Sequence, residues 1–292
     1  MDHILALHED LKSGTYRHGG YHAFKINDPK PRDIHKASVR DRLVHHALYR
    51  ILYPFFDRTF IADSYSCRID KGTHRAMDRF RAFAYEVSHN HTRTVWVLKC
   101  DIRKFFASID QTILVALLKD RISDTRIMNL CEEIIGSFST GSRIKSGMTG
   151  EGRMGLPLGN LTSQLFCNIY MNELDQFVKH KMRARYSIRY ADDFLILSHD
   201  KQWLEELLPH SAEFLEKRLH LTLHPHKVSI ATVARGVDFL GWVHFPDHRV
   251  PRTATKKRMM RRVREHFTKG TLQSYRGLLS HGNAKKLRRD YL

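Results

Sequence analysis

The sequence predicts an α+β fold built around a small antiparallel sheet. Three observations carry this. Apolar residues recur at three-to-four spacing over several long stretches, the helical period. Two stretches break that period, VWVLKCDI at 95–102 and RYADDFLIL at 189–197; their β-branched and aromatic content reads as strand. The order of segments is helices, strand, helices, loop, helix, hairpin, helix, hairpin and basic helices, which suits an α+β arrangement.

Residues 1–32 are mixed, with turn signals at Gly14, Gly19-Gly20 and Asp28-Pro29. Val39, Leu43, Val44, Ala47, Leu48, Ile51 and Leu52 predict a helix over 33–56, and a second is expected over 73–89. After the strand at 95–102, helical patterning returns over 111–135, where Asp110 reads as an N-cap. The stretch 136–155 holds six glycines and reads as a mobile loop; with no GK[ST] ending it is not a P-loop. Residues 161–181 read as an amphipathic helix with Leu165, Ile169, Leu174 and Phe177 on its buried side. A hairpin is expected over 186–197, with Ala191 and Asp192 near its turn. A helix over 202–219 and strand signals at LTLHP and VDFLGWVHF follow. From Arg252 onward come roughly a dozen Lys and Arg, with Met260, Val263, Phe267, Tyr275, Leu278 and Leu279 as an apolar helical face.

The chain has 292 residues, a formal charge of +18 and a hydrophobic fraction of 42%. That length supports a substantial core and more than one subdomain. The cationic excess predicts a polyanionic partner, nucleic acid before all others. No apolar run approaches the ~20 residues of a membrane span, and the N-terminus lacks a signal-peptide apolar region. A cytoplasmic protein that does not enter membranes is the expectation. Cys67, Cys100, Cys131 and Cys167 form no CxxC pair, so reduced and mostly buried thiols are expected. The 20 His, His224 and His226 included, lack partners at ligand spacing and read as RNA-facing or surface groups.

Asp192 and Asp193 are the anomaly in so basic a chain. Acid pairs are common in solvated turns. The strand at 95–102, however, places Asp101 near its end, and pairing with the 188–197 hairpin would put Asp101 beside Asp192. Three clustered carboxylates need cations. Two Mg²⁺ ions, which prefer carboxylate and phosphate oxygens, would meet that need and suit in-line phosphoryl transfer.

LKCDIRKFF, GLPLGNLTSQLFCNIYMNELD and RYADDFLIL, in that order, resemble motifs A, B and C of reverse transcriptases. KPRDIHKASVRDRLVHHAL and DSYSCRIDKGTHRA resemble fingers motifs of the bacterial enzymes; LTLHPHKVSI and GVDFLGW resemble motifs D and E. The resemblance spans nearly the whole chain and implies a right-hand polymerase with fingers, an antiparallel-sheet palm and a short helical thumb. Implied boundaries are 1–94 for the N-terminal fingers and 95–110 for the palm with motif A. A fingers/palm connection with the Gly-rich loop covers 111–153, the palm with motifs B to E 154–245, and the basic thumb 246–292. The first fingers motif lies close to Met1, so a compact or truncated chain is expected.

The resemblance also implies roles. Asp101 and Asp192 would bind the two Mg²⁺ ions (Mn²⁺ as the substitute), with Asp193 assisting and the Ile102 carbonyl completing one shell. Phe106 matches the ring that excludes a ribose 2′-OH. Lys30 and Arg32 match cations that hold the triphosphate, with Arg68 and Lys71 as further candidates. Lys227 matches a general acid for the leaving pyrophosphate. Phe239, Leu240, Gly241 and Trp242 match the primer grip. Gly159 would let backbone approach the nucleotide. Leu158 before Gly159, and Gln164 after Ser163, depart from the common motif B and resemble the diversity-generating retroelement lineage, whose enzymes are error-prone. Implied partners are template RNA, a DNA or RNA primer, dNTPs and a basic accessory variability determinant protein. Competing expectations are a retron, group II-like or antiviral reverse transcriptase, or an inactive RNA-binding scaffold.

Overall fold

The computed structural model describes residues 2–27, 31–138 and 153–291. Along the chain come α1 (Asp2–Ser13), the strands β1 (His22–Ile26) and β2 (Arg32–Lys36), then α2 (Val39–Asp57) and α3 (Thr73–Val87). β3 (Trp96–Asp101) leads through the single turn α4 (Phe105–Ser108) into α5 (Gln111–Lys119) and α6 (Thr125–Gly136). α7 (Leu161–Gln176) precedes β4 (Ser187–Tyr190), β5 (Asp193–Ser198) and α8 (Lys201–Leu219). The short strands β6 (Ser229–Thr232), β7 (Val237–Phe239), β8 (Trp242–His244) and β9 (Arg249–Pro251) follow, then α9 (Thr253–Glu265), α10 (Lys269–Ser280) and α11 (Lys285–Tyr291).

The main sheet is antiparallel, in the order β4-β5-β3-β6. Its central strands are covered on both faces, which is why β3 and β5 read as nearly continuous apolar runs. Leu98, Cys100, Phe194 and Ile196 pack on one side with Leu48 of α2, Phe166 of α7 and Leu204 of α8. Val97, Leu195 and Leu197 pack on the other with Phe80 and Phe83 of α3 and Phe239 of β7. β1 and β2 form a separate ribbon, and β7-β8-β9 a second small sheet. The basic C-terminal helices have their own core of Met259, Val263, Leu279 and Ala284.

Several expectations need correction. Residues 32–36 are strand rather than helix, because β2 pairs with β1 and Ser38 starts α2 by accepting the Asp41 N–H. The patterning over 111–135 is two helices, the second capped by Asp124. α7 is buried on nearly all sides rather than amphipathic, and Phe177 falls in a following π-helical turn, Phe177–Lys181. LTLHP is not a strand; only Leu223 makes an isolated bridge, to Ile102, and β6 is the strand that pairs with β3. Phe267 is exposed rather than part of the apolar face. His45 and His244 are buried, so not every histidine is a surface group. Most of the Gly-rich stretch, 139–152, lies outside the described residues. Three of the four thiols are buried and free, as expected, while Cys67 is exposed. No helix among the described residues is long and apolar enough to cross a membrane.

Candidate active site

β3 and β5 pair in a register that sets Asp101 opposite Asp193. Opposed residues of an antiparallel pair project from the same face, so the two carboxylates leave the sheet together at its end. Tyr190 pairs with Asp193, which leaves Ala191 and Asp192 as a two-residue turn. Ala191 takes φ +55° there, a left-handed conformation that costs an L-residue roughly 1–2 kcal/mol. The turn lifts Asp192 beside the other two acids, so the structure brings Asp101, Asp192 and Asp193 together.

Burial, with Asp101 adding to it, pushes the Asp192 carboxyl above its ordinary range; Lys227 and Arg32 oppose the shift. Burial also pushes Asp193 up to about 6, with Asp192 and Asp101 adding and Lys99 opposing. Lys227 lies on the segment after α8. The His224 N–H donates to the Asp101 carbonyl at 2.8 Å. The Lys227 ammonium donates to both Asp101 carboxylate oxygens, at 2.8 and 2.9 Å.

A cleft of about 970 Å³ opens beside Asp193. Asp193 and Lys99 line it from the sheet, Arg32 from the ribbon, Leu240 and Gly241 from the β7-β8 turn, and Lys257 and Arg261 from α9. The β7-β8 turn has φ +52° at Leu240 and +84° at Gly241, the two positive values a tight primed hairpin needs. The Gly241 carbonyl accepts from the Arg252 N–H at 3.0 Å, tying the turn to the start of α9. Phe239 and Trp242 are buried beneath it.

On the other flank, the His35 N–H donates to the Leu158 carbonyl at 2.9 Å, and the Asn160 amide to the His35 carbonyl at 2.8 Å. The β1-β2 ribbon is thereby docked on the start of α7. Gly159 has φ +108°, and a Cβ there would stand 2.8 Å from Ile34, so this close approach requires glycine. Leu158 and Gln164 are half-buried on either side of it. Phe106 is half-buried against Phe105 on the turn after Asp101. Asp110 accepts from the Thr112 and Ile113 N–H groups and is the expected N-cap.

Arg68 and Lys71 make local contacts. Arg68 is buried and donates to the Asp57 carboxylate (2.7 Å) and to the Ile61 (2.7 Å) and Ser64 (3.0 Å) carbonyls. Its guanidinium ties the 57–68 loop together. Lys71 donates to the Ala62 carbonyl at 2.7 Å. Lys30 lies outside the described residues.

The sequence reading missed Arg189, Asp175 and Lys99. Arg189 sits in the middle of a buried hairpin and is 1% exposed. A cation between Ile188 and Tyr190, directly before the acidic turn, was the available signal, because a buried guanidinium demands a partner. The partner, Asp175 at the end of α7, carries no such mark.

The donor set suits a hard divalent cation. Carboxylates crowd at one end of the sheet, two of them pushed toward protonation, and an ammonium already clasps the third. Asp101, Asp192 and Asp193 are neighbours without forming a ready-made metal cage, and no such cage of three side chains occurs among the described residues. Mg²⁺ is held by one or two carboxylates together with substrate phosphates and water, and these side chains supply the carboxylates.

The fold is of the right-hand polymerase type. The family model for reverse transcriptase (RNA-dependent DNA polymerase) matches residues 25–244, and the chain belongs to that family. It is 27% identical over 296 residues to Protein YkfC of Escherichia coli, covering 89% of this chain and 74% of that one. It is 23% identical over 323 residues to the group II intron-encoded protein LtrA of Lactococcus lactis, covering 87% of this chain and 51% of that one. Among solved structures it is similar to telomerase from Candida albicans, in complex with a fragment of telomeric RNA. There the TM-score is 0.60 at 10% identity, covering 84% of this chain and 48% of that one. Apo telomerase from Candida tropicalis gives a TM-score of 0.57 at 12% identity, covering 86% and 60%. The chain thus spans about half the length of LtrA and of the Candida albicans telomerase.

Proposed function

We propose that this chain is an RNA-directed DNA polymerase that extends a primer along an RNA template. The observation that carries the reading is the meeting of Asp101, Asp192 and Asp193 at one end of the sheet, with Asp193 on the wall of a cationic cleft. Asp101, Asp192 and the Ile102 carbonyl would hold two Mg²⁺ ions, with Asp193 assisting and Mn²⁺ as the substitute. When bound, such ions neutralise charge on the phosphates undergoing in-line transfer. Lys227 then gives its Nζ proton to the leaving pyrophosphate. Arg32 attracts the triphosphate, and Phe106 favours dNTPs over NTPs by opposing the 2′-OH. The 237–244 hairpin grips the primer end, and the basic helices from 253 onward track the duplex phosphates.

In this reading the fingers span 1–94, the palm 95–110 and 154–245, the connection 111–153 and the thumb 246–292. A cytoplasmic setting is supported by the three buried free thiols.

The template would be the repeat RNA of a diversity-generating retroelement, with a basic accessory protein as partner. Leu158 and Gln164 support this finer reading. A side chain without hydrogen-bonding groups beside the nucleotide polices base geometry less strictly than an amide. The likeness to LtrA favours a second reading, a group II-like enzyme.

Primer extension on an RNA template tests the first claim. Asp192→Asn is expected to lower the rate by about 10³-fold or more; retained extension would remove the catalytic assignment. Sequencing the cDNA separates the lineages. Errors concentrated at template adenines favour the retroelement, and uniform fidelity favours the group II-like enzyme.

A further inference from the structure

The strand that delivers the catalytic turn contains a fully occupied buried guanidinium. Arg189 has five N–H donors, and its three nitrogens reach four partners from three parts of the chain. Its Nε donates to the two Asp175 carboxylate oxygens at 2.8 and 2.9 Å, and Nη2 to Oδ2 at 2.7 Å. Nη2 also reaches the Ser64 hydroxyl at 3.0 Å, and Nη1 the Asn168 side-chain oxygen at 3.2 Å. The remaining contact runs from Nη1 to the carbonyl of Ala191, at 3.1 Å. Main-chain bonds fix the same residue: its N–H donates to the Asp63 carbonyl at 3.0 Å, and its carbonyl accepts from the Tyr65 N–H at 2.9 Å.

Fold stability alone does not call for the Ala191 contact. Asp175 already pairs the charge, while the turn is the one strained link between β4 and β5 and carries Asp192. A planar fork anchored on α7 holds the turn's carbonyl at a set height and direction. We infer that Arg189, braced by Asp175, is a positioning residue that holds the Ala191-Asp192 turn in register with α7 and the 63–65 loop. Lysine, with one point charge, cannot hold Asp175 through a fork and reach Ala191 as well.

The inference rests on the polymerase reading and on Asp192 as a ligand. Its test uses Arg189→Met, Arg189→Lys and the near-isosteric Asp175→Asn. Asp41→Asn serves for comparison; Asp41 is equally buried, but it bonds Tyr16, Ser38 and Gly19, away from the turn. Single-nucleotide extension on poly(rA)/oligo(dT) with dTTP gives kcat and KM. Circular dichroism and thermal melts report folding, and electron paramagnetic resonance reports Mn²⁺ binding without nucleic acid.

Arg189→Met and Asp175→Asn are expected to lower kcat by about 10²-fold while primer–template affinity stays unchanged. Mn²⁺ affinity should fall by about tenfold. Arg189→Lys should recover melting temperature more than kcat, and Asp41→Asn should lower melting temperature without changing kcat or Mn²⁺ affinity. Folded Asp175→Asn with wild-type kcat and Mn²⁺ affinity overturns the positioning role. So does an Asp41→Asn enzyme that loses kcat to the same degree. Wild-type protein that extends no primer overturns the polymerase reading instead.

Discussion

Lys227 and Asp101, 126 residues apart, form a two-pronged ion pair at 2.8 and 2.9 Å. The lysine therefore stands next to the acids before any substrate arrives. If it donates a proton to pyrophosphate, Lys227→Ala should slow nucleotide addition by about 10²-fold or more with primer–template affinity preserved. Rapid-quench single-nucleotide incorporation measures both. A variant with an unchanged incorporation rate would leave Lys227 as a structural partner of Asp101 only.

Asp193 predicts an inverted pH dependence of stability. Burial pushes its carboxyl up to about 6 from 3.8. A carboxyl raised in the folded state stabilises the fold in full below pH ~4, and that contribution is lost as pH rises through about 6. In metal-free buffer, Asp193→Asn should melt above wild type at neutral pH, with a ceiling of ~3 kcal/mol. The difference should vanish below pH ~4, whereas melts that differ equally at all pH values would contradict the shift.

Phe106 is half-buried on the turn that follows Asp101. Phe106→Ala opens space where a 2′-OH would sit. Discrimination of dTTP against UTP should fall by about tenfold or more, read as a ratio of kcat/KM values. Unchanged discrimination would assign the ring to packing.

The thiols differ in reach. Burial pushes Cys100 and Cys131 up to about 12 and Cys167 well above its ordinary value, while Cys67 is exposed. The native protein should take up one iodoacetamide quickly, at Cys67, and four only after denaturation, as intact mass would report.

Much of this was legible in the sequence, for local reasons. β3 and β5 announced themselves because strands covered on both faces must be apolar throughout, and the two acids at Ala191-Asp192-Asp193 stood out against that background. Asp110, Ser38 and Gly241 follow local rules of capping and turn geometry, although the apolar periodicity that runs up to Ser38 does not itself mark where α2 starts. The Ile61 and Ser64 carbonyls that Arg68 meets could not be read, because a motif records residue type and spacing, not which carbonyls a guanidinium meets.

The sequence by itself determined most of the helices, the two apolar central strands, the cationic excess and the pair of acids, since each depends on periodicity, composition or neighbouring residues. Only the tertiary structure decided that Asp101 faces Asp193, that Lys227 closes on Asp101 and that Arg189 reaches Asp175 and the Ala191 carbonyl. Those contacts join segments far apart in the chain. They are set by strand register and by the burial of charge, which a linear pattern does not encode.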